Sequence, residues 1–226
     1  MNQALSSNAT SPKSATLSGE LTLTLRDAII TGEIKQGSKL SETRLAKELD
    51  VSRGPLREAI RRLEGMNLIE HVPQQGARVV KLNKTLILQI YEAREALESK
   101  IASLAAINMS SKEIDELHRS LDVQTNHMRE HKSAIISAES DYFFHEQVIR
   151  GGKNKVIERA LLKEIYNLIK MFRYQNSFAN TSHANALIEH RQIAYAIEQR
   201  DAVLAEITMR QHIMRAKERI DQRMTN

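Results

Sequence analysis

Apolar residues mark out one helix after another along most of this chain. Leu21, Leu25, Ala28 and Ile29 fall at i, i+4, i+7 and i+8, one face of a helix that Gly32 can end. The loop GEIKQGSKL follows. Ser41 is a candidate N-cap for ETRLAKEL, with Glu42 favourably placed in the first turn. Asp50-Val51 forms a tight break, and Ser52 can cap a third helix in which Pro55 still lies within the tolerated first turn. Leu68, Ile69 and Val72, then Pro73-Gln74-Gln75-Gly76, then Val79 and Val80 predict two short strands around a turn.

Beyond Lys81 every segment has helical period. Leu86, Ile90, Ala93, Leu97, Ile101 and Leu104 form one stripe, and helices are expected near 112–131, 134–150, 154–178, 184–199 and 201–223. The pattern predicts a mainly α protein: a polar, disordered tail over 1–17, a winged helix-turn-helix over 18–81 and an all-helical bundle over 82–226.

Composition narrows the function. The 226 residues include no cysteine, so disulfides, thiolate metal sites and cysteine nucleophiles are excluded. Tryptophan is absent and aromatic residues make up 4%, which argues against a β-sandwich or a stacking platform. A net charge of +5 permits an anionic partner without demanding one. The opening lacks a secretory pattern and no 18-residue apolar stretch follows, so a soluble cytoplasmic protein without a membrane partner is expected.

The segment SRGPLREAIRRLE concentrates cations. Leu56, Ile60 and Leu63 would face inward, while Arg53, Arg57 and Arg61 recur every four residues on another face. A solvated basic helix is one reading. The other places this second helix of the motif in the major groove, where arginine forks pair with guanine or clamp phosphate. Gly54 would allow close approach to the duplex, and Ser52 with the free amides of the helix start could take a phosphate.

The run LSETRLAKELDVSRGPLREAIRRLEGMNLIEHVPQQGARVV closely resembles the DNA-binding domain of the GntR family of bacterial transcription regulators. That resemblance implies that Arg44, Ser52, Arg53, Gly54, Arg57 and the wing tip Gln75-Gly76 face DNA.

A second constellation lies in the helical part. DYFFH sets Asp141 and His145 one turn apart on a helix face, and His190 and His212 sit on two later helices. Three imidazoles and a carboxylate suit zinc or another borderline divalent ion. Each histidine alone is better read as a satisfied, partly buried residue or a surface residue than as a ligand. The pair His127 and His131 shares the i, i+4 spacing, but its polar setting reads as a solvated face. YEAREALESKIASLAA, DYFFHEQVIRGGKNKVI, EHRQIAYAIEQRD and MRQHI are similar to the FCD ligand-binding domain of the FadR subfamily. Many of its members bind a metal through residues matching Asp141, His145, His190 and His212. Zinc is favoured, with nickel or manganese also compatible. About six helices after the linker resemble the VanR-type arrangement more than the seven-helix FadR type.

Arg94 lies in the sector of Ile90, Leu97 and Ile101, where an inward guanidinium needs an anion. It either pairs with Glu98 or clamps an effector carboxylate, the role its counterpart plays in some relatives; Arg173 is a second candidate. The expectation is a homodimeric transcription regulator on a palindromic operator, modulated by a small carboxylate. A metal-dependent hydrolase is the alternative, with Glu189 as the only obvious spare base but aimed elsewhere. A purely architectural DNA protein would leave the buried polar residues unexplained.

Overall fold

The computed structural model describes residues 16–130, 138–176 and 184–224. The expected tail over 1–17 lies almost wholly outside them, as does His131. Thr16 is already structured: its hydroxyl accepts from the Gly19 amide and starts α1 (Leu17–Thr31). Leu21, Leu25 and Ile29 are buried along α1, and Gly32 ends it at φ 89°, a left-handed conformation that glycine adopts without strain. Ser41 caps α2 (Glu42–Glu48), accepting from the Arg44 amide. Asp50 turns the chain at φ 51° into α3 (Arg53–Glu64), which buries Leu56, Ala59, Ile60 and Leu63. Each such buried aliphatic side chain contributes about 1.5–3 kcal/mol, which fixes the opposite, arginine-rich face outward.

Strands β1 (Ile69–Val72) and β2 (Gly76–Val79) pair antiparallel, with Ile69 opposite Val79 and Val72 opposite Gly76. The segment expected to be a loop runs beside β2. Gly37 N and Leu40 N donate to the carbonyls of Val79 and Ala77, Val79 N donates to Ser38 O, and Lys39 bridges Arg78. A third extended segment thus braces the wing. Its polar sequence hides this, because edge pairing uses main-chain groups and leaves no periodic apolar signature.

After Asn83, which caps through the Leu86 amide, α4 (Lys84–Asn108) forms the axis of the helical unit. Around it stand α5 (Ser111–Glu130), α6 (Ala138–Gly151), α7 (Lys155–Arg159), α8 (Tyr166–Gln175), α9 (Ala184–Glu198) and α10 (Ala202–Arg223). The stretch Ala160–Ile165 between α7 and α8 is π-helical, so the single helix expected over 154–178 carries a change of winding. The expected stripe on α4 is also rotated. Ile90 and Ile101 of that stripe are buried, but Leu86, Ala93, Leu97 and Leu104 are only half-buried, whereas Ile87, Tyr91, Arg94, Glu98 and Ala105 are buried. Two charged residues therefore share the deepest face with Ile90 and Ile101, and the rest of the aliphatic pattern marks its edge.

The two units meet where α1 packs on α8. Gln175 Nε2 donates to Ile29 O at 2.7 Å, Gln36 Nε2 donates to Gln175 Oε1 at 2.8 Å, and Leu82 N donates to Gln36 Oε1 at 2.8 Å.

Candidate functional site

In the helical unit, α6 supplies Asp141 and His145, α9 supplies His190 and α10 supplies His212. All four side chains are buried, with their donor atoms within 4.8 Å of one another. His212 Nε2 lies 3.3 Å from both His190 Nε2 and His145 Nε2. Asp141 Oδ1 is 3.6 Å from His190 Nε2, and Asp141 Oδ2 is 3.8 Å from His145 Nε2. Ligands at about 2.1 Å from one divalent ion stand roughly 3–4 Å apart, so these separations fit a shared ion. Phe144 stacks on His190 with ring centroids 3.9 Å apart and closes one side with apolar surface.

The outer ring nitrogens set the tautomers. His212 Nδ1 lies 2.7 Å from Glu189 Oε2, a carboxylate that also receives Arg215. His145 Nδ1 lies 2.6 Å from Glu98 Oε2, a close but poorly aligned contact. Carboxylates behind imidazoles hold the proton on Nδ1 and turn the Nε2 lone pair inward. Burial depresses the pKa of His190 and His212, so both prefer the neutral form. Burial also raises the cost of charge on Glu98 and Asp141. Arg94, with His145, nevertheless brings Glu98 down to about 2, and Arg173 and the imidazoles hold Asp141 well below the ordinary carboxylate range. The neutral imidazoles of His190 and His212 beside the ionised Asp141 form a donor set ready for a cation.

Glu98 and Glu189 are the partners that sequence reasoning missed. The i, i+4 spacing of Arg94 and Glu98 signalled an ion pair, but nothing marked the other carboxylate oxygen as facing His145. Glu189 was expected to point elsewhere, yet it is buried behind His212. As a group already committed to an imidazole and Arg215, it is a poor general base.

Arg94 pairs with Glu98, the first of its two readings. Its Nε donates to Glu98 Oε1 at 2.6 Å and its Nη2 to Tyr166 OH at 3.2 Å, while buried Nη1 has no partner. Arg173 Nη1 donates to Asp141 Oδ2, and its side chain is partly exposed. The rival His127 is exposed, in keeping with a solvated face.

On the other unit, α3 presents Arg53, Arg57 and Arg61 outward. Arg53 and Arg61 have no ion-pair partner among the described residues, whereas Arg57 Nη2 bonds Glu42 Oε2 at 2.9 Å and Arg44 pairs loosely with Glu48 at 3.3 Å. Ser52 occupies the N-cap position but makes no side-chain cap bond, contrary to the expected cap. Its hydroxyl is left for another acceptor or donor. A Cβ on Gly54 would meet nothing within 4 Å, so the fold itself does not require glycine there. Gln75 and Gly76 sit at the wing turn, where Gln74 (φ 63°) and Gly76 (φ 83°) are left-handed.

Residues 17–79 match the gntR family of bacterial regulatory proteins, and residues 89–215 match the FCD domain. The chain is 26% identical over 190 residues to the HTH-type transcriptional regulator YdhC of Bacillus subtilis, covering 84% of this chain and 83% of that protein. It is 32% identical over 149 residues to the gluconate operon transcriptional repressor of Bacillus licheniformis, covering 65% and 57% respectively. E. coli McbR/YncC shares the fold with a TM-score of 0.70 at 18% identity, over 92% of this chain and 98% of that one. Among the described residues no helix is long and apolar enough to cross a membrane. With a winged reading unit and an FCD bundle each matched in place, the chain belongs to the GntR family of bacterial transcription regulators and is not an enzyme.

Proposed function

We propose that this regulator responds to a small carboxylate bound beside a divalent metal, zinc by preference, and that it acts in the cytoplasm as a homodimer on a palindromic operator. The observation that carries the reading is Arg173. It holds Asp141 of the donor cluster and lies two residues before Gln175, which bonds the end of α1 in the DNA-binding unit. Asp141, His145, His190 and His212 would hold the ion, which would supply a Lewis-acidic anchor for the effector. Arg94, through its unpartnered Nη1, and Arg173 would take carboxylate oxygens. An effector engaging Arg173 competes with Asp141 for it and so bears on α8. Regulation then follows from a difference in effector affinity between DNA-competent and DNA-incompetent arrangements. The gluconate operon repressor among the relatives suits an organic acid as effector.

Arg44, Ser52, Arg53, Gly54, Arg57, Gln75 and Gly76 would form the DNA face. One recognition helix reads few base pairs, so two copies on a two-fold site are required for specificity. Ile188, Tyr195, Leu204 and Ile207 are exposed on α9 and α10 and offer an apolar surface for the partner copy.

Selection of bound sequences from random DNA, followed by titration at fixed salt with metal-loaded and chelator-treated protein, tests the reading. Enriched half-sites related by a dyad, and an affinity altered by an organic acid only in the loaded protein, are expected. A monomer on non-palindromic DNA, or an identical response after chelation, would overturn it.

A further inference from the structure

A cavity of about 290 Å³ opens between the two units and reaches Arg173, whose guanidinium separates it from Asp141 of the metal cluster. Ile30 and Thr31 of α1 form one wall, and Tyr142 of α6 with Tyr166, Ile169 and Lys170 of α8 form the other. The volume equals roughly ten waters, suited to a small organic molecule. The two tyrosine rings meet edge to face, with centroids 5.3 Å apart, which gives the wall flat apolar surface.

One cation there lacks a counter-charge. Lys170 Nζ rests 3.6 Å above the Tyr142 ring centroid and has no carboxylate within ion-pair distance among the described residues. The acids whose fields reach it are Glu146, Asp27 and Glu139. Glu146 is held by Arg150, Asp27 by Arg26, and Glu139 accepts from Tyr174 OH. Burial lowers the pKa of Lys170, as expected of a half-buried ammonium short of anionic partners. The metal cluster lies behind Arg173, which already spends an Nη1 bond on Asp141.

We propose that the cleft between α1 and α8 is a second small-molecule site, which takes a flat apolar molecule bearing a single anionic group anchored on Lys170. The apolar body lies against Tyr142, Tyr166 and Ile169, and its outer edge touches α1. An occupant therefore contacts the DNA-binding unit directly, without passing through the metal cluster. The site stands whether or not the metal cluster senses an effector.

The probe is 2-naphthoate, with 2-naphthamide as its uncharged isostere; both are followed by fluorescence, since the chain has no tryptophan. Intact protein should bind one naphthoate per chain saturably. Lys170→Gln should weaken that binding about tenfold or more, Lys170→Arg should retain most of it, and amide binding should not respond to Lys170→Gln. Lys170 is half-exposed, so neither variant threatens folding. Naphthoate binding should persist after chelation and in the His190→Ala/His212→Ala double variant. Equal affinity in Lys170→Gln would overturn the proposal. So would binding lost with the metal cluster, which would put the anion there, or no saturable binding at millimolar naphthoate.

Discussion

Gln175, the last residue of α8, gives its side-chain N–H to the main-chain carbonyl of Ile29, 2.7 Å away near the end of α1. Ile29 O already accepts the Gly32 amide at 3.2 Å, and its second lone pair takes this donor from the other unit. Gln36 and Leu82 extend the same chain of bonds to the loop after α1 and to the linker. Gln175→Ala should cost about 1–2 kcal/mol and loosen the two units from each other. Calorimetry should then resolve two unfolding transitions where the parent protein shows one. A single unshifted transition in the variant would mean that α1 and α8 are held by apolar packing alone.

Arg53 projects from the first turn of α3 without an acidic partner among the described residues, in contrast to Arg57, which bonds Glu42. Replacing Arg53 with alanine should cost roughly 1–3 kcal/mol of operator binding if its contact is bidentate. Thermal stability should barely move, since the side chain is exposed. Binding isotherms at fixed salt check this, and unchanged affinity would remove α3 from the groove.

His190 and His212 come from different helices, and neither shares the helix of Asp141 and His145. A common ion would thus join α6, α9 and α10. Metal at a thousandfold over its dissociation constant should stabilise the fold by about 4 kcal/mol. The His190→Ala/His212→Ala double variant should lose most of this gain while still binding DNA at low temperature. Elemental analysis with metal-dependent melting is the measurement; unchanged metal content would place the ion elsewhere.

Chelated protein should lose stability in two steps as pH falls. The fold keeps His190 and His212 neutral, so below about pH 6.5 the unfolded chain binds the extra protons and stability declines. Glu98 has its pKa lowered from 4.5 to about 2, so its contribution is complete above pH 4.5 and disappears as pH drops toward 2. Denaturant titrations between pH 8 and 3 should show both declines. Saturating metal should strengthen the first, because bound imidazoles must shed their protons. Stability that is flat from pH 7 to 5 would contradict the neutral cluster.

Periodicity in the sequence reveals the inward face of α3, the wing and the helical order of the second unit, because each is a local pattern repeated over several residues. Asp141 and His145 were legible for the same reason: one turn of helix places them side by side. That His190 and His212 join them depends on how α9 and α10 pack on α4, which no spacing encodes. The places of Glu98 and Glu189 behind His145 and His212 escaped notice because a carboxylate behind an imidazole looks, in one dimension, like any other acid. The segment 37–40 escaped because its contribution is made with main-chain groups.

The π-helical stretch Ala160–Ile165 has a consequence for everything that follows it on the same rod. An α-helix turns about 100° per residue, and a wider turn absorbs one residue more than the regular winding would. Tyr166, Lys170, Arg173 and Gln175 keep their azimuth because the wider turn takes up that extra residue. Regular α winding of the same number of residues through Ala160–Ile165 would swing all four together by roughly 100°. The bond to Asp141, the cleft wall and the grip on α1 would then fail at once, although none of those four residues had been changed. The stretch acts as a phase setting for the residues that face Asp141, the cleft and the end of α1.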